Sequence, residues 1–315
     1  MKAIVLGLLL TALSFADKID QTLIKGRPAD PKEFPASVYA QMGNSRCTAT
    51  VVGEKTLLIA AHCVRDGGIA KFKAGGADYS STCTHSPLYS QAAWSRVKEA
   101  IEKGLVSQFT DLVNATADWA LCLVNKPVGN IQYEVINLDP DILKEGNELL
   151  LTGYGCTQPG GSGGNDGTYR IGEAKIIGLP SGSDNDIVTN GGQPGAALCY
   201  GDSGGPAFLI NPIDKKRVVV SVNSRGNIAT TSYLSSTSTS AFKSFMGSWA
   251  SKNKQFVCGV HKEAKNCRGV RTEPEILYMS APSQNLKITI QPDAKYSVED
   301  AKEMIQFFLD RMEKK

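Results

Sequence analysis

The chain is predicted to be an all-β protein, a barrel or a sandwich, and three observations carry that reading. Short apolar runs rich in Val, Ile and Leu recur at residues 37–41, 48–52, 56–60, 119–124, 148–153, 173–177 and 218–222, bounded by Gly, Asn, Asp or Pro. Such runs suit strands, and such boundaries turn the chain. Helical periodicity is sparse between them. Finally, eight cysteines follow an export-type leader, an even number that suits a disulfide-braced fold.

Length and charge set the frame. A chain of 315 residues holds two ordinary domains, or one large domain with an appendage. With 34 basic and 31 acidic residues the net charge is only +3, and no block of five or more Lys/Arg occurs. Nucleic acid is therefore not expected as a partner. Residues 1–16 read as a signal peptide: Lys2 is the positive start, residues 3–13 are apolar, and Ser14-Phe15-Ala16 offers small residues for cleavage. That run is shorter than the ~20 residues a bilayer span needs, and no other long apolar run exists. The mature protein is expected to be soluble and exported, to periplasm or medium, with no membrane span and no lipid anchor. A buried N-terminal strand is the competing reading of the same residues.

The cysteines are Cys47, Cys63, Cys83, Cys122, Cys156, Cys199, Cys258 and Cys267. Zinc is the alternative to disulfides, but no C-x-x-C pair is present and the histidines are only His62, His85 and His261. No metal and no cofactor are expected. The loop "PGGSGGNDG" (159–167) lacks the Gly-Lys-Ser/Thr that would complete a phosphate cradle.

Two further elements follow from periodicity. Phe242, Phe245, Met246 and Trp249 share one face of a predicted helix over 240–251. The segment 91–108 could hold helical turns. Residues 255–315 have a different texture: a polar loop closed by Cys258 and Cys267, the alternating "LKITIQ" (286–291), and a helix opening at Ser297 with Asp300 three residues on. Val298, Ala301, Ile305, Phe308 and Met312 fall on one side of that helix. These 61 residues are expected to form a small β/α extension braced by one disulfide, its apolar stripe packing a core or meeting a protein partner.

The stretch "CYGDSGGPAF" (199–208) sets Ser203 among three glycines. Glycine costs backbone entropy and is kept where the chain turns sharply or approaches something closely. Taken alone, Ser203 is either a turn hydroxyl or an exposed nucleophile. Two other segments, "LIAAHC" (58–63) and "TADWALC" (116–122), decide the matter. With His62, Asp118 and Ser203 in that chain order, the sequence resembles the chymotrypsin/trypsin-like serine peptidases over about residues 23–253. The resemblance implies two packed six-stranded antiparallel β-barrels with the catalytic residues at the cleft between them. It divides the chain into a signal peptide (1–16), a propiece (17–22), a peptidase domain (23–254) and the extension (255–315).

The resemblance also assigns roles. Ser203 would be the nucleophile, activated as His62 takes its proton, since an unperturbed imidazole titrates near ~6.5. Asp118 would hold the imidazole in the right tautomer. The N–H groups of Gly201 and Ser203 would bind the oxyanion, with Gly204 and Gly205 turning the chain behind them. Asp202 would pair with a newly formed N-terminal ammonium, which the segment "LIKGRPADPKEF" places at Leu23. The bond to be cut follows Thr22, where the Lys or Arg of trypsin-activated zymogens is missing.

Ala197, six residues before Ser203, would floor the specificity pocket, so uncharged residues rather than Lys or Arg would be accepted. Ser221, Val222 and Asn223 would pair with substrate backbone, Asn223 narrowing the pocket. Cys47–Cys63 matches the bridge that anchors the histidine loop in the family; Cys156 is paired with Cys199 and Cys258 with Cys267, leaving Cys83 with Cys122. Protein or peptide substrates follow. The alternative is a catalytically silent or zymogen-locked homologue acting as a binding protein. The sequon Asn114-Ala115-Thr116 would matter only in a glycosylating host.

Overall fold

The computed structural model describes residues 23–89, 116–164, 166–191, 195–211 and 215–269, with the backbone of two further strands at Glu275–Ala281 and Gln284–Ile290. The expected signal peptide and propiece, the helical turns within 91–108, Asn114 and the helix from Ser297 lie outside the described residues.

Six strands close into a first barrel: β2 (Ser37–Met42), β3 (Ser45–Gly53), β4 (Thr56–Ile59), β5 (Ile69–Ala74), β6 (Ala77–His85) and β7 (Ala120–Val124), in the order β2-β3-β4-β7-β6-β5. Pairing of Ala40 with Phe72 closes it. The second barrel is built from β8 (Glu148–Gly153), β9 (Arg170–Gly178), β10 (Asp186–Asn190), β11 (Pro206–Ile210), β12 (Arg217–Gly226) and β13 (Thr231–Ser236), with β8 pairing both β11 and β9. A two-residue strand, β1 (Arg27–Pro28), is hydrogen-bonded along β9. Closure leaves no row of unpaired backbone groups at a sheet edge. The two six-stranded antiparallel barrels are those the resemblance implies.

All seven apolar runs lie on or largely within strands. The strands without such a run have a physical reason to lack one. In β5 every second residue is exposed, so lysines alternate with buried Ala70, Phe72 and Ala74. In β13, the sequence "TSYLSS" carries Ser232, Ser235 and Ser236 fully buried. Their hydroxyls are satisfied: Ser232 Oγ accepts from Leu198 N at 2.9 Å, and Ser235 Oγ donates to Asp186 at 3.2 Å. Buried polar groups with partners are tolerated, and apolar patterning cannot reveal them.

The helix α1 (Ser240–Asn253) begins where Thr239 Oγ1 accepts from Phe242 N at 3.2 Å and stops at Lys254, which takes the left-handed conformation (φ 53°). Phe242, Phe245, Met246 and Trp249 are buried, as their spacing predicts, and the Phe242 ring meets the edge of Trp119 at 5.3 Å. The helix thus supports the turn that carries Asp118.

Beyond α1 the structure redraws the expected extension. Cys258 N donates to Val52 O and Ile136 N to Cys258 O, both at 2.9 Å, while Val257 pairs with Gly53 and Cys267 with Tyr133. Val257, Cys258 and Cys267 are buried in the same core as the first barrel. Residues 255–269 therefore belong to the barrel body, and their disulfide fastens them to it instead of bracing a separate unit. β14 (Glu275–Ala281) and β15 (Gln284–Ile290) follow as an antiparallel hairpin, Glu275 opposite Ile290, with the alternating stretch 286–291 falling mostly on β15.

The disulfides are Cys47–Cys63, Cys83–Cys122, Cys156–Cys199 and Cys258–Cys267, the pairing set out above. Among the described residues no helix is long and apolar enough to cross a membrane.

Candidate active site

His62 stands in a single 3-10 turn, Ala61–Cys63, directly after β4. The Cys63–Cys47 bridge ties that turn to β3. Asp118, just before β7, is fully buried and reaches His62 twice: Oδ1 accepts from the His62 backbone N–H at 2.9 Å, and Oδ2 meets Nδ1 at 2.6 Å. Ser224, on β12, donates its hydroxyl to the same Oδ2 at 2.7 Å. Burial alone would raise the Asp118 carboxyl, but the His62 charge and the hydrogen bonds from His62 and Ser224 outweigh it and hold the group below the usual carboxylate range. An ionised Asp118 keeps the proton on Nδ1, which makes Nε2 the basic nitrogen of the ring.

Ser203 sits in the loop before β11. Gly201 (φ 102°) and Gly204 (φ 82°) flank it in backbone conformations that L side chains rarely adopt. The Ser203 hydroxyl lies 3.3 Å from the Ser224 carbonyl and donates to it. Its own carbonyl accepts from Thr48 N at 2.9 Å, and Gly204 N donates to Asn223 O at 2.7 Å. His62 and Ser203 line one cleft of about 340 Å³, walled by Leu198, Tyr200, Ser224, Arg225, Gly226 and Ile228. An oriented imidazole and a serine hydroxyl that share one cleft with Gly201 are groups that acyl transfer can use.

Behind that loop, Asp202 is fully buried. Its two carboxylate oxygens accept from Gly155 N and Cys199 N, each at 2.8 Å. Burial pushes the group up to about 7, against those two donors and the charge of Arg170. Gly155 has to be glycine here, since a Cβ would come within 2.6 Å of the Asp202 carboxylate. Leu23 is buried in the second-barrel core, and the Ile24 carbonyl accepts from Ala197 N at 3.0 Å.

Ala197, the expected floor, is fully buried with Ile24, Cys156 and Cys199, donates its N–H to Ile24 O at 3.0 Å, and lies in the cluster against which Ile228 packs. Leu198 and Ile228 line the cleft itself. On β12, Ser224, Arg225 and Gly226 line the cleft, three residues beyond the expected Ser221, Val222 and Asn223. Asn223 instead braces the nucleophile loop, donating from Nδ2 to Thr152 O at 2.8 Å and Asp202 O at 3.3 Å.

Sequence reasoning also missed Ser224 and Thr48. β12 is buried at seven consecutive positions and carries a register shift between Asn223 and Arg225, so no alternation marks which residue faces the cleft.

The family model described as Trypsin matches residues 23–246. Among curated proteins, the chain is 27% identical over 143 residues to "Serine protease 23" of Homo sapiens, covering 40% of this chain and 37% of that protein. It is 26% identical over 216 residues to "Trypsin-like protease" of Streptomyces glaucescens, covering 63% of this chain and 71% of that one. It is also 26% identical over 189 residues to "Trypsin zeta" of Drosophila erecta, covering 52% and 60%. The match thus spans well under half the length of the human relative.

Proposed function

Because the chain belongs to the trypsin family, we propose that it is an exported serine endopeptidase that cuts peptide bonds through an acyl-enzyme on Ser203. The observation that carries this reading is the buried Asp118 carboxylate holding His62 Nδ1 at 2.6 Å in the cleft that Ser203 lines. As Ser203 Oγ bonds to the scissile carbonyl carbon, its proton passes to His62 Nε2. The carbonyl oxygen takes the negative charge and is held by the N–H groups of Gly201 and Ser203. Collapse expels the amine, which takes the proton back from His62. Water then repeats the sequence, releasing the acid and restoring Ser203.

Uncharged side chains are the proposed substrates. Leu198, Tyr200 and Ile228 line the cleft, and among its described lining residues there is no carboxylate to pair with Lys or Arg. Burying such a cation unpaired is expensive. For activation, cutting after Thr22 would free an ammonium on Leu23. A fully buried carboxyl pushed up to about 7 at Asp202 is a group that a nearby cation would stabilise in its charged form. Four disulfides and the leader support export.

The test combines fluorophosphonate labelling of the processed protein with N-terminal sequencing. Label on Ser203, a start at Leu23 and loss of hydrolysis in Ser203→Ala are expected. Undiminished hydrolysis by Ser203→Ala overturns the reading.

A further inference from the structure

Below Asp118 lies a second buried carboxylate that the mechanism above does not use. Asp186, on β10, forms an ion pair with Arg225 of β12, and the side chains are only 1% and 4% exposed. The same guanidinium donates from Nη1 to Ser224 Oγ at 3.2 Å, while Ser224 passes its own hydroxyl hydrogen to Asp118 at 2.7 Å. Asp118 in turn meets His62 Nδ1 at 2.6 Å. A continuous polar chain therefore runs from β10 through β12 to the imidazole. We propose that Arg225 and Asp186 are positioning residues which orient the Ser224 hydroxyl on Asp118 and set the pH at which the His62–Asp118 couple takes up a proton. The proposal rests on the peptidase reading of the site.

The chemistry is directional. A hydroxyl that accepts from a cation becomes a better donor, so Arg225 strengthens the Ser224–Asp118 bond. The planar fork serves the two partners from separate nitrogens, Nη2 to Asp186 and Nη1 to Ser224, whereas a lysine would have to meet both from one freely rotating nitrogen. The charge also acts at a distance, because so little of the pair is exposed that solvent screens it weakly. Unbalanced, the guanidinium disfavours an imidazolium at His62; balanced by Asp186, it does so much less.

The other groups facing the pair are Asp184 ahead of β10, and Tyr233 on β13, whose ring centroid lies 5.1 Å from the guanidinium carbon. Ser235 donates to Asp186 at 3.2 Å, and the Asp118–His62 couple is near, with Tyr89 beside Asp118. Burial pushes Asp186 up to about 7; Arg225 pulls it down, while Asp184 and Asp118 push it further up.

The experiment compares Arg225→Met, Asp186→Asn, Arg225→Lys and the double Met/Asn variant. Each is read by the acid limb of kcat/KM on an uncharged peptide substrate and by NMR titration of the His62 ring. The acid limb of Arg225→Met should lie above that of Asp186→Asn by about half a pH unit or more. Wild type, in which the two charges balance, should fall between them. Arg225→Lys should keep the wild-type limb and lose several-fold in kcat. Coincident limbs in the two folded single variants overturn the proposal.

Should either single variant fail to fold, Arg225→Lys and the double variant decide. Both should keep a several-fold loss of kcat, and wild-type kcat in both overturns the proposal. The NMR midpoints need no turnover. A wild type without hydrolysis but with ordered midpoints removes the peptidase reading alone, whereas an active wild type with coincident midpoints removes this inference alone.

Discussion

The hydroxyl of Thr48, in the first barrel, donates a 2.9 Å hydrogen bond to the carbonyl of Gly201, in the second. Thr48 N also donates to Ser203 O at 2.9 Å, and its hydroxyl accepts from Tyr154 N at 3.1 Å. One fully buried side chain thus grips the loop whose N–H groups are proposed to hold the oxyanion. Thr48→Val keeps the volume and removes the hydroxyl. We expect kcat to fall about tenfold with KM nearly unchanged, less than the ~100-fold or more for deleting an oxyanion donor outright. Thr48→Ser should recover most of the loss. Steady-state kinetics of the three proteins check this.

Stability of the unprocessed chain should fall as pH rises from about 4 to about 7. Asp202 is raised by burial to about 7, above the ordinary unfolded value near ~3.9. Between those values the folded chain binds more protons than the unfolded one. Its contribution is therefore complete below ~4 and is lost as pH rises through about 7, with a limiting slope of about 1.4 kcal/mol per pH unit. Urea midpoints from pH 4 to 8 measure it. Asp202→Asn should flatten the profile.

Where the chain is shortened should matter sharply. Removing everything after Asn253 strips Val257, Cys258 and Cys267 from the first-barrel core, along with the backbone bonds to Val52 and Ile136. Several kcal/mol and roughly 10 °C of Tm should be lost. A chain ending at Gly269 retains all of these contacts, so thermal melting of the two truncations should differ by most of that amount.

Asn223→Ala separates the corrected role from the expected one. If Asn223 braces the loop through Thr152 O and Asp202 O, its loss removes two buried hydrogen bonds, leaving Asp202 O with its Gly205 N–H donor, and costs about 1–2 kcal/mol. Relative kcat/KM for substrates with small and large side chains at the cleavage point should stay the same. A changed ratio in a fully folded variant would return Asn223 to the pocket wall.

Much of this was readable from residues in order. Short apolar runs ended by turn residues betray strands, because burial on a sheet rewards that composition locally. The Phe242-to-Trp249 spacing betrays α1, because its face is a local period. His62, Asp118 and Ser203 could be singled out because each lies in a compact motif and the three motifs, in that chain order, resemble those of a known peptidase family.

What depended on distant partners was not readable. The hydroxyl-rich β13 is a strand because β10 and β12 hydrogen-bond to both its sides. Residues 255–269 join the barrel because Val52 and Ile136 present free backbone groups to them. Ser224 rather than Ser221 meets Asp118 because a register shift in β12 moves the face of the strand. Linear order determined which chemical groups this protein possesses; only the folded barrels decided which of them touch, since hydrogen bonds across 100 residues of chain leave no local pattern to be read.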